Sequence, residues 1–207
     1  MQNSQTQSTD LNTASIVASA CWLYLAFQQG FHALETRTLL PILLAAESGL
    51  VAYRMIARLP DRAAAQPWQV RWVAWASVLL PLLIHVRTRI PLPATVVACL
   101  GAALVVWSLL ALGESFGIAP ADRGLAYKGP YRCLRHPMYL GALLIAGAAV
   151  FGSLRLDALR WSDAWNLAVF ILIFACAIYR IRKEEALIQG YSAYTKIVRW
   201  RLVPGVW

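Results

Sequence analysis

The sequence predicts an all-α fold, a polytopic integral membrane helical bundle of about six transmembrane helices. Three observations lead there. Hydrophobic residues make up 59% of the 207 and charged residues only 14%, whereas a soluble domain carries about 25% charged residues. The apolar residues are gathered into six blocks, most of them close to the roughly 20 residues that span a bilayer. Short charged loops separate the blocks. The balance of 19 Lys and Arg against 10 Asp and Glu gives a net charge of +9. Those basic residues sit at the ends of apolar blocks. That position argues against nucleic acid as a partner and for topology determinants that touch anionic membrane lipids.

Residues 1–12 form a polar tail without the basic start of a secretory signal, so the first apolar block is expected to remain as an anchor. That block covers 13–30, and the second covers 38–56 with Pro41 near its start. The third covers 68–84 with Pro81 near its end, and the fourth covers 92–112. The fifth, 138–154, is short. It follows Pro137, which suits a first helical turn, and it carries Gly141, Gly147 and Gly152, small residues that let helices approach closely in lipid. The sixth covers 164–179 and is expected to continue as a helix to about residue 188. The domain reading is a tail (1–12), N-terminal membrane helices (13–112) and a C-terminal core with a loop, a helical hairpin and a tail (113–207).

Loop charges set the expected orientation. Arg54, Arg58, Arg62 and Arg71 lie between the second and third blocks; Arg123, Lys128, Arg132 and Arg135 lie between the fourth and fifth. Arg180, Arg182, Lys183, Lys196, Arg199 and Arg201 follow the sixth. In the opposite loops Glu35 offsets Arg37, and Asp157 and Asp163 offset Arg155 and Arg160; only Arg87 and Arg89 run against the trend. The positive-inside rule puts both termini and the basic loops in the cytoplasm.

Two stretches concentrate reactive side chains. The first is Gly129-Pro130-Tyr131-Arg132-Cys133-Leu134-Arg135-His136-Pro137-Met138-Tyr139-Leu140-Gly141. It abuts a helix N-terminus, whose free N–H groups and partial positive charge suit an anionic ligand group. The ordinary alternative is an interfacial loop whose arginines touch lipid phosphates. The second stretch is Tyr179-Arg180-Ile181-Arg182-Lys183-Glu184-Glu185. A carboxylate pair near a helix C-terminus opposes the helix dipole and points to function. The ordinary alternative is a solvated helix end with a local ion pair, since Arg180 and Glu184 share a helix face. Cys21, Cys99, Cys133 and Cys176 form no CxxC and predict neither a disulfide framework nor a zinc site. No HExxH, P-loop or GxGxxG occurs, so no metal site and no zinc hydrolase, nucleotidase or Rossmann reading is expected.

Taken together, the two stretches resemble the isoprenylcysteine carboxyl methyltransferase family and its phospholipid methyltransferase relatives. The family's G-P-Y-x-x-x-R-H-P-x-Y-x-G loop corresponds to the stretch from Gly129 to Gly141. Its helical hairpin, Glu-Glu pair, spaced tyrosines and proline correspond to Glu184-Glu185, Tyr191, Tyr194 and Pro204. The resemblance covers about 113–207. It implies an S-adenosyl-L-methionine site near the cytoplasmic face. Leu125, Gly129 and Tyr131 would line the cofactor, His136 and Tyr139 would contact it, and Glu184 and Glu185 would hold its polar groups. Arg135 would face the acceptor. Relatives have a longer segment containing Phe-Gly after the Glu pair and an Arg three residues past the second tyrosine. Here Ile197 holds that position, and Arg199 is the nearest substitute for the catalytic arginine.

The implied activity is methyl transfer to a lipophilic acceptor, best read as a prenylcysteine-like carboxylate. Small thiols and phospholipid amines are alternatives. The rival classes are a membrane reductase with a nicotinamide cofactor and a transporter or scaffold. A transporter needs ionisable groups near mid-membrane, and the centres of these blocks are nearly free of charge.

Overall fold

The computed structural model describes residues 13–57, 67–86, 90–155 and 157–207. The polar tail 1–12 and the loop residues Arg58, Asp61, Arg62, Arg87 and Arg89 lie outside the described residues. Seven α-helices occur among the described residues: α1 (Thr13–Thr36), α2 (Leu39–Ala57), α3 (Trp68–Leu79), α4 (Leu92–Leu112), α5 (Pro137–Ser153), α6 (Trp161–Leu187) and α7 (Tyr191–Ile197). The only β pairing among them is a single parallel bridge between Leu134 and Trp200.

The six apolar blocks all become helices, with two changes of extent. α1 runs six residues past Gly30. The third block does not form one helix: α3 stops at Leu79 and the chain tightens into a 3-10 turn, Leu80–Leu83. Pro81 is the cause, because it has no N–H to donate and its ring crowds the preceding turn. Helices α2, α4 with its 3-10 extension to Ser115, and α6 are long and apolar enough to cross a membrane. Helix α5 is apolar but has 17 residues. Large apolar side chains face outward along these helices, including Leu100, Trp107, Ile171 and Phe174. Lipid would satisfy such a surface where water would not.

Three joints hold the bundle. Arg37, at φ 51, closes the tight turn between α1 and α2, and Ser19 Oγ donates to Ala52 O at 3.2 Å across that hairpin. Gly101 and Gly141 bring the α4 and α5 backbones together: a Cβ added at Gly141 would meet Gly101 O at 2.6 Å. The segment after the 3-10 turn is pinned to α6 by Asn166, whose Oδ1 accepts from His85 N at 2.9 Å and whose Nδ2 donates to His85 O at 3.0 Å.

These joints send the C-terminal end of α4, the N-terminal end of α5 and the C-terminal end of α6 to one end of the bundle. The segment after α4 folds back over that end. Phe116 and Ile118 drop from it into a core built by Val51 and Met55 of α2 and Val105 and Leu109 of α4.

Candidate active site

The site is built at the helix ends just described. Gly129, at φ +55, turns the chain into a short 3-10 helix, Gly129–Arg132. His136 then adopts a non-helical conformation as the N-cap residue, and Pro137 begins α5. His136 is thereby held at a helix mouth with its ring buried, 5% exposed. Tyr139 lies one turn inside α5 and donates to Glu184 Oε1 of α6 at 2.5 Å. His136 Nδ1 stands 3.7 Å from Glu184 Oε2.

The C-terminal tail closes the other side. Gly190, at φ +76, reverses the chain after α6 and starts α7. Tyr194 of α7 donates to Tyr131 O at 2.7 Å. The tail then runs beside the loop, with Arg135 N donating to Trp200 O at 2.8 Å and His136 N to Arg201 O at 3.0 Å. Arg135 Nε donates to Val198 O at 2.7 Å.

Glu185 is the hub of this closure. Arg201 grips it with Nε at 2.9 Å from Oε1 and Nη2 at 2.8 Å from Oε2. Tyr191 Oη donates to Oε1 at 3.2 Å, His136 Nε2 stands 3.3 Å from the same oxygen, and Arg135 Nη1 is 3.6 Å away. The Glu185 hydrogen bond pushes the Arg201 guanidinium further up from its ordinary range. Burial holds the Tyr131 and Tyr191 phenols well above their usual value, with Glu184 and Glu185 respectively adding to the effect. Tyr194 is pushed up to about 12, chiefly by burial.

Between the α4–α5 loop, α5 and the α6–α7 turn lies a cavity of about 690 Å³, counted with its open mouth. Its polar wall is Tyr131, Arg135, His136, Tyr139, Glu184 and Arg123; Leu112, Leu125, Met138 and Ile188 supply apolar surface.

The structure thus brings Leu125, Tyr131, Arg135, His136, Tyr139 and Glu184 to one cavity and leaves three expected residues off its wall. Gly129 turns the chain against α4 instead, where a Cβ would meet Trp107 Nε1 and Ala111 Cβ at 3.0 Å. Glu185 stands behind the wall, because Arg201, His136 and Tyr191 occupy its oxygens. Arg199 is exposed. Pairing of the tail with the loop lays Arg201 against the Glu pair while Arg199 turns to solvent. The local ion pair expected between Arg180 and Glu184 does not form either: Arg180 turns to Ser77 and Ile118.

Sequence reasoning named Leu125 but missed the rest of the wall contributed by the segment after α4. Asp122 is buried and ties this segment to the α6–α7 turn, accepting from Gly124 N at 3.1 Å and Gln189 N at 3.3 Å. Gly117 leaves the space that the Arg123 guanidinium fills: a Cβ there would meet Arg123 Nη1 at 2.2 Å. The available signal was two isolated charges beside a glycine-rich turn, which carries no periodicity.

No curated protein and no solved structure matches the chain. A family model does, over the stretch that supplies α4, the loop, α5, α6 and Tyr191. Residues 93–191 match the model of the phospholipid methyltransferase family, and three of the described helices are long and apolar enough to cross a membrane.

Proposed function

We propose that the protein is an S-adenosyl-L-methionine-dependent membrane methyltransferase acting on a lipophilic acceptor. The observation that carries this reading is the convergence of Leu125, Tyr131, His136, Tyr139 and Glu184 on one cavity inside the segment that matches the methyltransferase family. The donor set suits that cofactor. Glu184 can accept charge-assisted hydrogen bonds from an ammonium or from hydroxyls, and Arg123 can take a carboxylate. Tyr131 and Tyr139 offer aromatic surface to a cation, and Leu112, Leu125, Met138 and Ile188 suit a purine.

When bound, the cofactor supplies an activated methyl on a positively charged sulfur. The chain's own task is alignment and exclusion of water. Tyr139 and His136 hold the Glu184 carboxylate in place. Glu185 and Arg201 hold the tail that walls the cavity. Arg135 is fixed by Val198 O and Glu185, and its cavity-facing position fits the acceptor side, where it would meet an anionic group. A prenylcysteine-like carboxylate fits that cation and needs no base. The family match favours a phospholipid amine as the second reading.

The basic residues Lys128, Arg132, Arg182, Lys183 and Lys196 cluster at the site end, whereas the opposite end mixes Arg155 and Arg160 with Asp157 and Asp163. By the positive-inside rule the site faces the cytoplasm, where the water-soluble cofactor is found.

Calorimetry on the detergent-solubilised chain tests the cofactor. S-adenosylmethionine and its demethylated product are expected to bind with dissociation constants in the micromolar range, about −8 kcal/mol at 1 μM. Binding of NADPH with no heat from either sulfur ligand would replace this reading with a reductase.

A further inference from the structure

Arg180 is a buried cation that none of the roles above uses. It lies on α6 one turn before Glu184 and is 7% exposed. A guanidinium remains charged in any protein environment. Its Nη1 donates to Ser77 Oγ of α3 at 2.7 Å and its Nη2 to Ile118 O at 2.6 Å. Its Nε has no partner, although it is shielded from solvent. Its Cζ stands 4.9 Å from the centre of the Tyr139 ring. Both hydrogen bonds therefore go to neutral acceptors, and no carboxylate among the described residues pairs with it. Ser77 Oγ donates onward to Ala74 O at 2.7 Å, which turns its lone pairs to Arg180.

These contacts join three parts of the molecule. Ser77 belongs to the N-terminal half. Ile118 lies between Gly117 and Ala119, which both line the cavity, and Tyr139 is a cavity wall that carries Glu184. We propose that Arg180 is a positioning residue: it couples α3 to the cavity wall, and its unpaired charge biases the cavity against a cationic ligand relative to a neutral one. The inference rests on the cofactor reading above.

The charge has a direction of action. In methyl transfer the S–CH₃ bond breaks, the bonding pair stays on sulfur, and the methyl carbon bonds to the acceptor, so the sulfur loses its positive charge. A fixed cation nearby raises the energy of the charged reactant more than that of the neutral thioether product. It therefore favours loss of charge from sulfur.

Binding of S-adenosylmethionine and S-adenosylhomocysteine to the full chain, measured with Arg180→Met, Arg180→Lys and Ser77→Ala, tests both parts. Arg180→Met should weaken both ligands and shift their affinity ratio toward the sulfonium by roughly fivefold, as expected for a unit charge several ångströms away at intermediate dielectric. Arg180→Lys should keep the parent's ratio while binding both more weakly, because the ammonium cannot span both acceptors. Ser77→Ala should weaken both a few-fold at an unchanged ratio. An unchanged ratio in Arg180→Met overturns the charge effect, and parent affinities in Ser77→Ala overturn the coupling to α3. If Arg180→Met does not fold, a ratio in Arg180→Lys displaced toward the sulfonium overturns the charge effect. A parent chain that binds neither ligand removes the cofactor reading and this one with it, whereas a parent that binds both leaves the variants to decide.

Discussion

Glu184 and Glu185 are adjacent and chemically identical, yet successive helical residues point about 100° apart, and that rotation separates their tasks. Glu184 lines the cavity, while Glu185 is consumed by Arg201, His136 and Tyr191. Glu184→Gln should weaken cofactor binding by about 1.5–3 kcal/mol, the worth of a hydrogen bond to a charged group, with little change in thermal unfolding. Glu185→Gln should lower the unfolding temperature, and a double-mutant cycle with Arg201→Ala should show a stability coupling above about 1 kcal/mol. Loss of cofactor affinity in Glu185→Gln without a stability change would return that residue to direct contact. Tyr194 adds a pH dependence. Its phenol sits at about 12 in the fold, against about 10 in the unfolded chain. The unfolded state gives up its proton first, so this contribution is complete below about pH 10 and disappears as pH rises toward the folded value. Thermal unfolding followed by tryptophan fluorescence should show that decline, and Tyr194→Phe should make it shallower, leaving the share of Tyr131 and Tyr191, while removing the bond to Tyr131 O. A parent whose stability stays level through that range would contradict this account of Tyr194.

At the scale of elements, the contact of α4 with α5 fixes where the cavity lies. The small residues of α5 were expected to allow close approach, and Gly101 and Gly141 bring backbone against backbone. Gly141→Ala would press on Gly101 O and Val105 Cγ2, both at 2.6 Å. It should destabilise the fold by about 1–3 kcal/mol, the usual cost of overpacking, as read by thermal unfolding. Gly147→Ala meets the Phe170 ring edge at 3.6 Å and Phe151 Cδ2 at 3.9 Å, ordinary contact distances, and should be nearly neutral; equal losses in the two variants would contradict the close packing. The same helices show what the sequence could reveal. α4 is bounded by Pro91 and Gly113 around an unbroken apolar run, and α5 opens on Pro137, so both were legible from local chemistry. The break at Leu79 had a local signal in Pro81, but the apolar run reads the same through the 3-10 turn and did not show where the helix stops. The wall that carries Arg123 was hidden too, since the contact of Asp122 with the α6–α7 turn 67 residues away holds that segment in place. Arg201 and Arg199 differ only in how an irregular tail is laid down, which the long-range bond from Arg135 N to Trp200 O and the local bonds from Arg201, Leu202 and Val203 to Trp207 O decide.

The whole molecule presents its cavity at one end of a bundle whose sides are apolar, and that geometry bears on how two dissimilar reactants would meet. On the proposed reading the basic residues of the site end would face the cytoplasm, where the cofactor would be dissolved. A prenyl or acyl acceptor is held instead by the bilayer, gaining about 0.8 kcal/mol for each buried CH₂. Its polar head would rest at the interface, the depth at which helices α4, α5 and α6 end around the cavity. The tight α4–α5 seam removes one lateral approach, so an acceptor would come by another face of the site end. Turnover in membrane vesicles should then depend on two variables. Cofactor supplied to the medium should support methylation in inverted vesicles and fail to do so in right-side-out vesicles. Across acceptors with one reactive head and increasing chain length, turnover should rise with each added CH₂ until the chain spans a leaflet. A short water-soluble thiol methylated as fast as the long-chain acceptors would place the nucleophile's approach in the aqueous phase, and equal rates in both vesicle orientations would contradict a cytoplasmic site.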